Sequence, residues 1–209
     1  MRSLRRRRRR LCACDAVAPE LILASSSPHR RALLERLGLP FRALAPDIEE
    51  FADPSEDPAA TARRLAEEKA RVIAERHPRA LVIGSDQIAE LDGRRLGKPG
   101  TRERAAAQLA AMSGRSVRFL TGLCVLRLEP HFHATALDRT EVRMRPLEAA
   151  EIERYLDREA VLDCAGSFRS EGLGICLFEE VRCLDPSALI GLPLIALCRL
   201  LREAGIPLP

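Results

Sequence analysis

Short apolar runs alternate irregularly with helical patterns along this chain, and that alternation restricts the fold more than any other feature of the sequence. Runs typical of buried strands lie at 21–24 and 81–84, and longer strand patterns follow at 117–128 and 134–143. Helical spacing of apolar residues occupies much of the chain between them. This order, with hairpins interspersed, favours an α/β fold with a mixed sheet and flanking helices.

Capping residues and prolines mark where the helices begin. Ser27-Pro28 and Asp57-Pro58 each place an N-cap residue before a proline at the first helical position. Together with the apolar spacing, such signals predict helices over 28–37, 58–76, 101–112, 148–158 and 187–203. The remaining segments are expected to be a short strand at 41–45, a hairpin over 88–96 with Asp92-Gly93 at its turn, and strand with glycine-rich loop over 161–184.

The charge of this 209-residue chain is unevenly divided. Residues 1–19 carry seven Arg and one acid, whereas 20–209 carry 27 basic and 29 acidic residues, a balance of 27 − 29 = −2. We expect 1–19 to be a disordered Arg-rich extension and 20–209 to be a single domain, for which a hydrophobic share of 46% suffices. A folded part with this balance is not expected to bind nucleic acid, so any such tendency would lie in the extension.

Two further features of the sequence bear on the cellular location of the protein. The longest uncharged run, residues 186–198, has 13 residues with two prolines, well below the roughly 18 that predict a membrane span. The seven Cys are scattered, odd in number and without a C-x-x-C motif, which predicts reduced thiols in a cytoplasmic protein.

A serine-rich turn at the first helix is a candidate anion site. Ser25, Ser26 and Ser27 precede the helix, and Arg30 and Arg31 lie in its first turn. Positive charge there opposes the helix dipole by roughly 0.3–1 kcal/mol per residue, unless an anion is bound. Backbone N–H groups, hydroxyls and guanidinium groups together suit a phosphate. The alternative is a plain helix cap.

Four further positions are candidates for chemistry. Asp86 ends a buried strand, where α/β proteins place ligands, although it is also a common turn former. Lys69 and Lys98 are the only lysines of the chain, beside 32 arginines. Either these two positions require a compact positive charge, or lysine has been kept there by chance. Glu171 lies among glycines that allow close backbone approach to a ligand, or in a plain loop. Anion-binding residues with acids for a divalent cation describe a hydrolase of phosphate esters or phosphoanhydrides that uses Mg²⁺ or Mn²⁺.

At these residues the chain resembles the Maf family of nucleoside triphosphate pyrophosphatases. Six collinear motifs carry the resemblance: Leu-Ala-Ser-Ser-Ser-Pro-His-Arg-Arg (23–31), Pro-Asp-Ile-Glu-Glu (46–50), Glu-Lys-Ala (68–70), Gly-Ser-Asp-Gln (84–87), Gly-Lys-Pro (97–99) and Cys-Ala-Gly-Ser-Phe-Arg-Ser-Glu-Gly-Leu-Gly (164–174). The resemblance implies an inosine-triphosphatase-like α/β fold, often a homodimer, and hydrolysis of a nucleoside triphosphate to the monophosphate and pyrophosphate.

The resemblance also implies roles for individual residues. Asp86 matches the proton acceptor, and Glu50 with Asp86 matches the site of the divalent metal. The positions that bind the substrate phosphates are matched by Ser25, Arg30, Lys69 and Lys98.

Three positions distinguish the branches of that family by substrate. Gln87 and Glu171 match the 7-methyl-GTP branch, since the UTP/dTTP branch has Thr and an Ile-Gln-Gly segment there. His29 stands where the 7-methyl-GTP branch usually has Trp or Tyr. We therefore expect hydrolysis of 7-methyl-GTP, which would clear modified nucleotides. The alternatives are a dTTP/UTP pyrophosphatase of the same family, a non-catalytic regulator of cell division, and nucleic-acid binding through the extension.

Overall fold

The computed structural model describes residues 19–49 and 56–209, and these form a seven-stranded mixed sheet with helices on both faces. The strands are β1 (Leu21–Ala24), β2 (Arg42–Leu44), β3 (Leu81–Leu91), β4 (Arg94–Leu96), β5 (Ser116–Arg127), β6 (Phe132–Met144) and β7 (Phe178–Arg182). The α-helices are α1 (Pro28–Glu35), α2 (Pro58–Arg76), α3 (Arg102–Met112), α4 (Ala149–Leu156) and α5 (Leu194–Glu203). Short 3₁₀ helices lie at Leu173–Leu177 and Ala188–Ile190.

The strand order confirms the predicted mixed sheet. The order is β2-β1-β3-β5-β6-β7, with β4 paired to the far end of β3. Strand β1 is parallel to β2 and β3, whereas the other pairs are antiparallel. Alternate residues of β1 face opposite sides, so that Ile22 packs with α2 while Leu23 packs with α1 and α5. Both faces of the central strands are therefore buried.

Three of the predicted helix starts are confirmed by their caps. Side-chain oxygens of Ser27, Asp57 and Thr101 accept hydrogen bonds from backbone N–H groups three residues ahead, at 3.4, 3.1 and 3.3 Å. Proline occupies the first turn of α1 and α2, where no N–H partner is needed. Local capping chemistry thus fixes where these helices begin.

The prediction of one final helix over 187–203 is wrong. A 3₁₀ turn covers Ala188–Ile190, Gly191 has a φ of 124°, and α5 begins only at Leu194. The positive φ of Gly191 cannot continue a right-handed helix, and Pro193 follows it. The apolar spacing there describes two separate elements joined by a turn.

Helix α2 lies very close to the sheet because two glycines face it. A Cβ atom built on Gly84 would overlap the Ala66 carbonyl oxygen, and one on Gly122 would overlap that of Ala62. This close approach buries the α2 face that carries Lys69, which is 4% exposed. The glycines therefore bring a helix-borne ammonium group to the sheet.

We expect Gly122→Ala to lower the free energy of unfolding by about 1–3 kcal/mol, since an overpacked methyl group must push helix backbone away from the sheet. Urea denaturation measures the effect. Gly97→Ala is the matched control, because nothing lies within 4 Å of its built Cβ and its φ is not positive. A Gly122→Ala protein as stable as the wild type would contradict this account of the α2 packing.

Candidate active site

One cavity of about 550 Å³ contains all the predicted site residues that the structure describes. It lies where the β1–α1 turn, α2, β3, the end of β4, the loop 163–171 and the segment 189–191 meet. The predicted residues in its wall are Ser25, His29, Arg30, Lys69, Asp86, Gln87, Lys98 and Glu171. The predicted metal ligand Glu50 lies outside the described residues, as does most of the predicted extension.

A buried carboxylate with two cations forms the polar centre of the cavity. The Lys69 Nζ lies 2.6 Å from Asp86 Oδ1, and their side chains are 5% and 9% exposed. An Arg30 Nη2 lies 4.0 Å from the same oxygen. Both contacts involve Oδ1, and among the described residues no donor bonds to Oδ2. The arrangement can therefore hold anionic oxygens beside a carboxylate oxygen that bonds to no donor of the described residues.

The serine-rich turn is both a helix cap and part of the cavity wall. The Ser25 Oγ accepts a hydrogen bond from Ser27 N at 3.1 Å, and the Ser27 Oγ accepts one from Arg30 N at 3.4 Å. The helix-cap alternative is thus confirmed, and the anion site stays a prediction at a turn that lines the cavity. Arg31 does not join the site, because its Nε donates to Glu35 on the exposed side of α1.

Lys98 lies at the exposed rim of the cavity. It follows β4, and no ion pair or hydrogen bond joins it to another residue in the described part of the chain. An exposed ammonium group keeps most of its hydration, so its attraction for a phosphate is weaker than that of a buried one. The two lysines therefore differ in environment, although the same role is predicted for both from the sequence.

A second carboxylate lies on the opposite loop of the cavity. The Glu171 Oε1 is 3.1 Å from His29 Nδ1 and accepts a hydrogen bond from Arg169 Nε at 3.3 Å. Again both contacts involve one oxygen, and no described donor bonds to Oε2. His29 is thus held at its ring edge against the carboxylate, which leaves Glu171 able to accept from a ligand.

Gln87 lines the cavity, but its amide nitrogen is already engaged. The Gln87 Nε2 lies 3.0 Å from Thr121 Oγ1, 2.8 Å from Ala188 O and 3.1 Å from Leu189 O. These acceptors occupy its N–H groups in this arrangement. The Gln87 side chain therefore holds the segment 188–191 in place through the Ala188 and Leu189 carbonyls.

Sequence reasoning missed several residues of the cavity wall. Arg95 donates to Thr61 Oγ1 at 2.8 Å, and its buried Nη1 has no hydrogen-bond partner among the described residues. Phe119 and Phe168 meet edge to face, with ring centroids 5.3 Å apart, and form an apolar side. Arg95 carries no distinguishing signal among 32 arginines, and the aromatic pair depends on tertiary contact.

Cys164 also lines the cavity but is not a nucleophile. Burial, together with the neighbouring Asp163 carboxylate, raises the pKa of its thiol to about 12. At neutral pH the group is therefore the protonated thiol, which is unreactive. All five cysteines in the described part of the chain are unbridged.

The described residues are suited to bind a metal ion only together with a bound phosphate substrate. They contain no group of three or more His, Cys, Asp or Glu that could enclose an ion. Mg²⁺, however, is commonly held by one or two carboxylates together with substrate phosphates and water. The Asp86 carboxylate suits that mode. Within the described residues, none of the helices is both long and apolar enough to cross a membrane.

Comparison with known proteins identifies the family to which this chain belongs. The family described as "Maf-like protein" matches residues 20–204, and the chain belongs to this family. Proteins named "7-methyl-GTP pyrophosphatase" are similar to it along their length. The one from Xanthomonas axonopodis pv. citri is 59% identical, over 91% of this chain and 100% of the relative.

Two further relatives with that name are more distant. The protein from Nitrosococcus oceani is 53% identical over 90% of this chain and 95% of its own length. The protein from Alcanivorax borkumensis is 50% identical over 91% and 97%. Among solved structures, the Staphylococcus aureus Ham1 protein matches with a TM-score of 0.41 and 15% identity, over 74% of this chain and 89% of that one.

Proposed function

We propose that this protein is a nucleoside triphosphate pyrophosphatase that hydrolyses 7-methyl-GTP to 7-methyl-GMP and pyrophosphate. The names of relatives that are 50–60% identical over about nine-tenths of the chain support this substrate. The observation that carries the proposal is the buried centre of the cavity, where one oxygen of Asp86 contacts Lys69 and the other bonds to no donor of the described residues.

The geometry supports a direct attack by water. The triphosphate lies against Ser25, Arg30, Lys69 and Lys98. The three cations offset the negative charge of the phosphate oxygens, and the serine hydroxyl group can donate a hydrogen bond to one of them. Asp86 Oδ2 orients a water molecule and takes its proton, while the water oxygen bonds to the α-phosphorus. The bond from the α-phosphorus to the bridging oxygen breaks, and pyrophosphate leaves with the electron pair.

Asp86, with Glu50 as implied by the family resemblance, would hold a Mg²⁺ or Mn²⁺ ion. When bound, such an ion neutralises charge that develops on the phosphate oxygens. The Lys69 ammonium group supplies part of the same neutralisation from the protein itself. The phosphate site therefore depends on fixed cations as well as on the metal.

Glu171 is the residue that we assign to recognition of the base. Guanine presents N1–H and N2–H₂ donors on one edge, and methylation at N7 makes the ring cationic. The Glu171 Oε2 can accept from that edge, while His29 and Arg169 hold Oε1. A pyrimidine would leave this carboxylate desolvated without the matching donors, at a cost of about 1–3 kcal/mol.

We expect Glu171→Gln to lower the kcat/KM ratio of 7-methyl-GTP over UTP by about tenfold. The amide cannot attract the cationic ring, although it retains a hydrogen-bonding oxygen. GTP, whose ring is neutral, is expected to lose less. Turnover of UTP by the same variant is the control for intact catalysis, and an unchanged ratio would exclude Glu171 from base recognition.

Product analysis tests the reaction itself. With 7-methyl-GTP and Mg²⁺ or Mn²⁺, we expect equal amounts of 7-methyl-GMP and pyrophosphate, and loss of both with a chelator. Release of orthophosphate with 7-methyl-GDP would contradict attack at the α-phosphorus. An inactive wild-type protein across all nucleotides and both metals would favour the non-catalytic alternative.

A further inference from the structure

The segment Ala188–Gly191 forms one wall of the cavity and is held from behind by strand residues. Leu189, Ile190 and Gly191 line the cavity. The carbonyl of Ala188 points the other way, toward β5. There the Thr121 Oγ1 donates to Ala188 O at 3.1 Å, and the Gln87 Nε2 donates to the same oxygen at 2.8 Å. The wall is therefore fixed by side chains of the sheet.

Thr121 is hidden from the cavity. It lies in β5, is 1% exposed and is not among the cavity-lining residues. Its hydroxyl group donates to Ala188 O and accepts from Gln87 Nε2 at 3.0 Å, so both of its hydrogen-bonding functions serve this wall. Any effect of Thr121 on a bound ligand must consequently pass through other residues.

The wall in turn holds Arg30. The backbone N of Gly191 donates to Ala188 O at 2.9 Å, and the Gly191 carbonyl accepts from Arg30 Nε at 2.9 Å. The Arg30 Nη2 lies 4.0 Å from Asp86 Oδ1. A continuous series of contacts thus joins the buried hydroxyl of Thr121 to the guanidinium group beside Asp86.

We infer that Thr121 is a positioning residue, which fixes the Arg30 guanidinium beside Asp86 through the Ala188–Gly191 wall. The inference rests on the proposed function, since it assigns Arg30 to the substrate phosphates. A long arginine side chain has many rotamers, and fixing one in advance removes that entropic cost from the reaction. Misplacement of a catalytic contact by about 1 Å can cost about 10²-fold in rate.

The test is a double-mutant cycle of Thr121→Val and Arg30→Lys. Valine has nearly the shape of threonine but lacks the hydroxyl, and lysine lacks the Nε–H that bonds to Gly191. We expect Thr121→Val to lower kcat/KM for 7-methyl-GTP by about tenfold in the wild type and by less than about twofold in Arg30→Lys. Thr121→Ser, which restores the hydroxyl, should recover most of the loss.

Thr140→Val is the matched control. Thr140 is a buried threonine of the neighbouring strand, 2% exposed, whose Oγ1 donates to Asp138 at 3.1 Å. The Thr140→Val protein loses an equivalent hydroxyl group that does not contact the Ala188–Gly191 wall. Its Tm should therefore fall, while its kcat/KM stays within about twofold of the wild type. This comparison separates a positioning effect from a general loss of stability.

The inference is overturned if Thr121→Val leaves kcat/KM unchanged, or if its loss is the same in the Arg30→Lys protein. Thr121→Ala removes the same hydroxyl and carries the test if the valine variant does not fold. The same cycle measured on the Kd of inorganic pyrophosphate, by calorimetry, applies even to a wild type that releases no pyrophosphate. A missing activity would then count against the proposed function, and an uncoupled Kd against the role of Thr121.

Discussion

Asp86→Asn is expected to lower kcat for 7-methyl-GTP by about 10²–10⁴-fold, the usual contribution of a positioned general base. Asparagine has the same shape and can still accept a hydrogen bond from Lys69, but it cannot take a proton from water. The loss should therefore fall on kcat more than on KM. Steady-state kinetics on the purified variant measures both.

Asp163→Asn is the matched control for this substitution. Asp163 is an exposed carboxylate of the same cavity wall, whose described contact is with the Cys164 sulfur at 3.6 Å. We expect its kcat to stay within about twofold of the wild type. Equal effects of the two substitutions, or near-normal turnover by Asp86→Asn, would contradict the assignment of the base.

Asp86→Asn is also expected to lower the stability of the protein. In the structure Asp86 is paired with the buried Lys69 at 2.6 Å. Removing the charge weakens that pair, so we expect the free energy of unfolding to fall by about 1–3 kcal/mol.

Lys69→Met should lower kcat/KM for 7-methyl-GTP by about 10²-fold or more, as does the loss of one buried contact to developing charge in other enzymes. Methionine retains the apolar length of lysine but leaves Asp86 without its nearest cation. The expected effect is large because the ammonium group is nearly excluded from water, where its charge is weakly screened.

Lys98→Met provides the comparison, because Lys98 carries the same charge at the exposed rim. Its kcat/KM should fall by about three- to tenfold only, since water already screens an exposed ammonium group. Measuring both variants at two salt concentrations sharpens the contrast, because only the Lys98 effect should diminish with salt. Equal losses at both salt concentrations would contradict the difference in environment described above.

Local signals in the sequence were sufficient for most of the fold. Cap residues predicted the starts of α1, α2 and α3, and apolar spacing predicted the extent of α2. Capping and apolar spacing depend on neighbours along the chain, which is why they could be predicted. The expectation that Asp86 ends a buried strand is wrong, because β3 continues through Asp86 to Leu91 by pairing with β5, a contact between distant segments.

The remaining features depend on contacts between distant segments. The carbonyl of Gly191 meets Arg30 across 161 positions, and Gln87 bonds to Ala188 across 101. No periodicity encodes such pairs, so the wall that they build was predicted as part of a helix. The metal ligand Glu50, the extension over 1–19, the cytoplasmic location and the homodimer stay predictions.

The most direct test of the proposed substrate is kcat/KM of the wild-type protein for 7-methyl-GTP, GTP, UTP and dTTP, measured by pyrophosphate release under identical conditions. We predict that 7-methyl-GTP exceeds both pyrimidine nucleotides by at least about tenfold, which corresponds to about 1.4 kcal/mol in transition-state binding. Hydrolysis of UTP or dTTP as efficient as that of 7-methyl-GTP would contradict the proposed substrate.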